Sequence, residues 1–187
     1  MSAHPNYFNP SKLSDQQKEI LDGFKIRREK MQCFIEKHQL KVTICPGCGF
    51  PALPKRWFHA ICNVCNWQHD GQDDPEANEI WNGPNDDISL TEHRLLIGER
   101  LSHTAKINRS VVLENPKRIY EAVQDHNRKV NAFEENLTNA KANDPVWETF
   151  EKLKNEIFED LLVPKKNKPT GLFFGGILRT LFRKVKT

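Results

Sequence analysis

Apolar residues recur at helical spacing in four stretches of the chain. In the first, Ile20, Leu21, Phe24, Met31, Phe34 and Ile35 keep a period of roughly 3.6 residues, predicting an amphipathic helix from Asp15 to about Gln39. Ser14 with Gln17 three positions on supplies a capping box at its start. Gly23 costs this helix about 1 kcal/mol against alanine, an amount that tertiary packing readily offsets. In the second stretch, Ser89 and Glu92 cap a helix running through Leu95, Leu96 and Ile97, where Gly98 either breaks the helix or permits close packing. Asn115-Pro116 and Asp144-Pro145 each read as an N-cap followed by proline at the first helical position. The helices they open carry Ile119, Val123, Val130, Phe133 and Leu137, then Trp147, Phe150, Leu153, Ile157, Phe158 and Leu161, with Pro164 as terminator. One apolar stripe and one charged face on each is the pattern of helices in a bundle.

Between the first two helices the pattern changes. Val42, Thr43 and Ile44 are a short β-prone run, Phe50 to Trp57 with Pro51 and Pro54 reads as a loop, and Trp57, Phe58 and Ile61 lead into a second turn. The fold class expected is α+β and mostly helical. Its organisation is a lead-in and helix over 1–40, a small cysteine module over 41–98, a helical region over 99–164 and a tail over 165–187.

That module carries the clearest chemistry. Cys45-Pro46-Gly47-Cys48 and Cys62-Asn63-Val64-Cys65 are two Cys-x-x-Cys pairs separated by thirteen residues. Each such turn lets two sulfurs reach one cation, so Cys45, Cys48, Cys62 and Cys65 read as the ligands of a single structural Zn2+ in a zinc-ribbon-like module. Gly47 and Gly49 free the backbone around the ion, and Trp67 is placed to cover it. Disulfides would suit a secreted chain, and a redox pair would stand alone near a βαβ pattern; both fit less well. His59 and His69 lie near enough to be candidate ligands, but with four thiols available their plainer roles are beside the site or at the surface. The fifth cysteine, Cys33, falls within the first helical pattern and reads as a buried, unreactive thiol.

Composition adds limits rather than an identity. The 187 residues carry a formal charge of +3, and 28% are charged, too mild a balance to declare a nucleic-acid binder. No run of 18 apolar residues occurs. No charged-then-apolar leader opens the chain, and four of five cysteines are in the paired motif, so the expected compartment is the reducing cytoplasm. Charge is unevenly placed. Asp70, Asp73, Asp74, Glu76, Glu79, Asp86, Asp87 and Glu92 form a run that no Lys or Arg interrupts. It reads either as a solvated loop or as an acidic surface for a basic partner, with Asp70, Asp73, Asp74, Asp86 and Asp87 as candidate contacts. Basic residues instead fill the tail from Lys165, where the apolar set over 172–187 makes either a docked helix or an amphipathic segment for a membrane surface, nucleic acid or an acidic partner.

From Cys45 to about Gly98 the chain resembles the bacterial cysteine-rich CPCC family. The resemblance rests on Cys45-Pro46-Gly47-Cys48-Gly49-Phe50, on Ile61-Cys62-Asn63-Val64-Cys65-Asn66-Trp67, on Asp70-Gly71, on Pro84-Asn85 and on Ser89-Leu90-Thr91-Glu92. Gly47 stands where the family usually has a third cysteine. Members often occur near bacterial toxin genes, so the resemblance implies an immunity protein that binds and occludes a cognate toxin. No Gly-rich phosphate loop, His-Glu-x-x-His or nucleophile elbow occurs, so no enzyme is expected. The alternative is a nucleic-acid-binding or regulatory zinc ribbon. Against it stands the acidic flank, since near the motif only Lys41, Lys55 and Arg56 could meet phosphate.

Overall fold

The computed structural model describes residues 7–54, 59–104 and 115–162. Lys55, Arg56, Trp57 and Phe58, the terminator Pro164 and the basic tail over 165–187 lie outside them. Ser14 closes the start of α1 (Asp15–Lys37) from both sides. Its hydroxyl accepts from the Gln17 N–H at 3.2 Å, and its own N–H donates to the Gln17 side chain at 3.0 Å. Ser89 and Glu92 repeat the arrangement before α2 (Leu90–Thr104), at 3.1 and 2.8 Å. Asn115 caps α3 (Pro116–Glu134) by accepting from the Arg118 N–H. Asp144 accepts from the Val146 N–H, and α4 (Val146–Leu162) begins there, one position beyond Pro145. Among the described residues no helix is long and apolar enough to cross a membrane.

Helices α3 and α4 form a hairpin. Phe133 stacks on Phe150 at 5.5 Å between ring centres, and Arg118 donates to the carbonyls of Asp160 and Leu161, satisfying acceptors that the end of α4 leaves open. Helices α1 and α2 pack together at Gly98, where an added Cβ would fall on the Ile20 side chain. Gly98 therefore permits packing, and α2 continues past it to Thr104.

The module is anchored by a minimal antiparallel pair, β1 (Val42–Thr43) with β2 (Leu53–Pro54), in the register Val42 to Pro54 and Thr43 to Leu53. The expectation of a loop from Phe50 onward is corrected here. The first cysteine turn reverses the chain and lays 50–54 alongside 42–45, so Phe50, Ala52 and Leu53 are buried and Leu53–Pro54 pairs as a strand. Cys33 also departs from expectation. The inward face of α1 is Phe24, Arg27, Met31 and Ile35, and Cys33, two positions past Met31, points to the opposite side and is exposed.

The acidic run is structured. Asp73 caps a 3₁₀ turn at Asp74–Glu76, and the buried Gln72 amide donates to the carbonyls of Glu76 and Glu79, at 2.8 Å each. The Asn85 side chain accepts from the Gln68 N–H and donates to the Gln68 carbonyl, as a neighbouring strand would. One core joins everything: Cys45, Cys48, Phe50 and Trp67 of the module share it with Met31 of α1, Leu101 of α2, Ile119 of α3 and Ile157 of α4. Described residues of all four helices therefore meet around the cysteines.

Candidate metal centre

The two cysteine turns are built alike. In the first, the Cys45 carbonyl accepts from the Gly49 N–H at 2.9 Å and the Cys45 N–H donates to the Phe50 carbonyl at 2.9 Å. In the second, the Cys62 carbonyl accepts from the Asn66 N–H at 2.7 Å and the Cys62 N–H donates to the Trp67 carbonyl at 2.9 Å. Each turn ends on a residue in the left-handed region, Gly49 at φ 72° and Asn66 at φ 64°. Glycine and asparagine are the residues that enter this region at least cost. At Gly49 a side chain would also press on the Phe24 ring, 3.1 Å from the Cβ position.

These turns bring the Sγ atoms of Cys45, Cys48, Cys62 and Cys65 within 4.8 Å of one another, and all four residues are buried. Cys45 and Cys65 sulfurs lie 3.6 Å apart, those of Cys48 and Cys62 3.8 Å. Disulfides need about 2.05 Å. Four sulfurs at roughly 2.3 Å from a tetrahedral ion would be about 3.8 Å apart, so the quartet has the spacing of a metal's ligand shell. Burial pushes the Cys48 and Cys65 thiols up, while hydrogen bonds from its neighbours overcome burial at Cys62 and hold that thiol low. Ionising all four this close together in the core would require a cation between them.

Around the quartet, each of three helices binds module backbone. Arg27 of α1 donates through Nε to the Cys48 carbonyl, and Arg94 of α2 through Nε to the Pro46 carbonyl, both at 2.9 Å. From α3, Gln124 donates to the Pro51 carbonyl at 2.8 Å, Asn127 to the Ala52 carbonyl at 3.0 Å, and His126 lies 3.1 Å from the Asn63 carbonyl through Nε2. A carbonyl can only accept, so Nε2 carries the proton. Trp67 is 1% exposed and its ring lies 4.9 Å from that of His93, whose edge would be 2.9 Å from a Cβ on Gly47. Glycine at 47 thus leaves room for an imidazole over the first turn.

The sequence motifs do not point to Arg27, Arg94, His93, Gln124, His126 or Asn127. The legible signal was a polar residue inside an apolar stripe: Arg27 between Phe24 and Met31, His126 between Val123 and Val130. His59 and His69 face each other at the open end of the second hairpin, where the His59 N–H donates to the His69 carbonyl at 2.7 Å. Neither belongs to the cysteine quartet.

The five aspartates differ in what holds them. Asp73 takes both Arg28 guanidinium nitrogens, at 2.6 and 2.7 Å, and Asp74 lies 3.0 Å from Arg28 and 2.8 Å from Arg94. Asp70 accepts from the Gln72 N–H and from the Asn85 amide. Asp86 and Asp87 are exposed, in a tight turn where Asp86 has φ 57°. The sequence shows no cation between Asp70 and Glu92, yet α1 and α2 supply two from the side.

No curated protein and no solved structure matches the chain. The match to a family model falls on the segment that holds the whole quartet: residues 43–98, with both cysteine turns and the capped start of α2, match the family described as cysteine-rich CPCC.

Proposed function

We propose that the protein is a non-catalytic, protein-binding scaffold of the immunity type, stapled by one structural Zn2+. The observation that carries the metal reading is the quartet itself, four buried thiols at tetrahedral spacing on two congruent turns. Four cysteines complete the coordination of zinc and leave no position for water or substrate, so the ion supplies rigidity. Its free cysteines suit a reducing, cytoplasmic setting.

The partner would be a cognate toxin with a basic catalytic cleft, such as a nuclease. Asp73 and Asp74 are neutralised within the fold, which leaves Asp86 and Asp87 as the better acidic contacts. Complementary charge there would speed association and set specificity. Two measurements test the proposal. Metal analysis of the full-length protein should find one zinc per chain, and less than a tenth of that would overturn the zinc centre. Capture from nuclease-treated source lysate should retain one stoichiometric protein that is toxic when expressed alone. Retention of nucleic acid only, before treatment, would replace the immunity reading with the zinc-ribbon alternative.

A further inference from the structure

Arg27 is 7% exposed, yet among the described residues no carboxylate pairs with it. The neighbouring arginines differ. Arg28 and Arg94 share Asp73 and Asp74. Arg94 and Arg27 each hold a first-turn carbonyl through Nε, but the Arg94 guanidinium is turned to Asp74 at 2.8 Å. Arg27 instead lies between aromatic rings, 4.8 Å from the Phe50 centre and 5.6 Å from that of Phe24. Ring faces attract a cation, but they do not replace a counter-ion for a charge held out of water. What Arg27 does touch is the quartet's own turn, through its 2.9 Å bond to the carbonyl of Cys48.

The quartet has the opposite imbalance. A divalent ion in four thiolates carries two excess negative charges, and the cysteines are at most 6% exposed. We infer that Arg27 is the built-in counter-ion of the metal centre, a positioning residue whose charge offsets the buried metal–tetrathiolate and whose own burial is tolerated only beside it. The inference rests on the metal reading above. An arginine guanidinium keeps its charge at neutral pH. Charge and metal then favour each other. With ionised thiolates around the ion, Arg27 is paired; with neutral thiols, it is a buried cation facing no anion.

The test uses the full-length protein and three variants, Arg27→Met, Arg27→Lys and Arg94→Met. Each is titrated with Co2+, whose thiolate charge-transfer and d–d bands report the ligand set, and then put in competition with a chelator for Zn2+. Arg27→Met should weaken metal affinity by about 10- to 100-fold, the scale on which groups surrounding a ligand shell act. Arg27→Lys should recover part of the loss. Arg94→Met removes the same kind of carbonyl contact from a guanidinium that Asp74 already pairs, and should weaken affinity by less than about threefold on that scale. Equal affinity in Arg27→Met and wild type, or equal losses in Arg27→Met and Arg94→Met, would overturn the counter-ion role. If Arg27→Met loses its helical circular dichroism, Arg27→Gln against Arg27→Lys makes the same comparison, and equal affinities there overturn the role too. Failure of the metal reading would look different: wild type itself would show no thiolate bands with Co2+.

Discussion

Arg28 of α1 grips Asp73 at both guanidinium nitrogens, at 2.6 and 2.7 Å, across forty-five positions of sequence. The pair pins the acidic segment to the first helix, and Asp74 extends it to Arg94 and so to the carbonyl of Pro46 in the first cysteine turn. Reversing charge at Asp73 and Asp74 would therefore damage the fold before it reported on any partner. Charge reversal at Asp86 and Asp87, which stand exposed, should instead leave the melting temperature within about 2 °C while slowing partner association several-fold. Surface plasmon resonance with the captured partner checks this, and an unchanged on-rate would remove that edge from the interface.

The same pair has a pH signature. Burial opposes ionisation of Asp73, but Arg28 prevails and holds the carboxyl below its ordinary range. A carboxyl lowered in the folded state contributes stability above its unfolded value of about 3.9, and that contribution is lost as pH falls through the lower folded value. Both partners are partly exposed, so Asp73→Asn should cost only about 1 kcal/mol at neutral pH. The difference between wild type and Asp73→Asn in urea unfolding should shrink below about pH 4. A difference constant down to pH 2 would contradict the ion pair.

His126 titrates with the same sign in a higher pH window. Its ring is buried, with the Asn63 carbonyl held by Nε2, and burial lowers its pKa despite that hydrogen bond. A histidine lowered in the folded state takes up its proton on unfolding. Its contribution is thus complete above the unfolded value of about 6.5 and declines as pH falls through it. Replacing it with Gln should flatten part of the stability loss between about pH 7 and 5. Parallel pH profiles for His126→Gln and wild type would refute this.

Gly98 and Ile20 set the distance between α1 and α2. Alanine at 98 would place its methyl on the Ile20 side chain, so Gly98→Ala should destabilise by about 1–3 kcal/mol despite alanine's better helix propensity. Adding Ile20→Val or Ile20→Ala should return part of the loss. Additive effects in the double-mutant cycle would show that the two residues do not collide.

Metal removal should reach beyond the module. Three helices donate to its carbonyls and all four share its core. Chelation, or Cys48→Ser, should therefore lower far-UV helical signal and broaden the melt, as expected where metal-binding energy is folding energy. Full retention of helix and a sharp transition in the metal-free protein would show that the helices stand independently.

Local chemistry written in short spans was legible without coordinates. Ser14 with Gln17, Ser89 with Glu92 and Asn115 before Pro116 mark helix starts because capping needs only residues three positions apart. The cysteine spacing marks a ligand set because each turn is closed by bonds within six residues, from Cys45 to Phe50 and from Cys62 to Trp67. What the tertiary structure decided was which polar groups face one another. Arg27 and His126 sit on stripes that periodicity reads as core, and their partners, the Cys48 and Asn63 carbonyls, come from other elements. The acidic run likewise looked unopposed because its cations lie on α1 and α2, brought in by packing around the cysteines. Pairing of charges depends on distance in space, which local sequence patterns do not encode; capping and turn closure depend on distance along the chain, which they do.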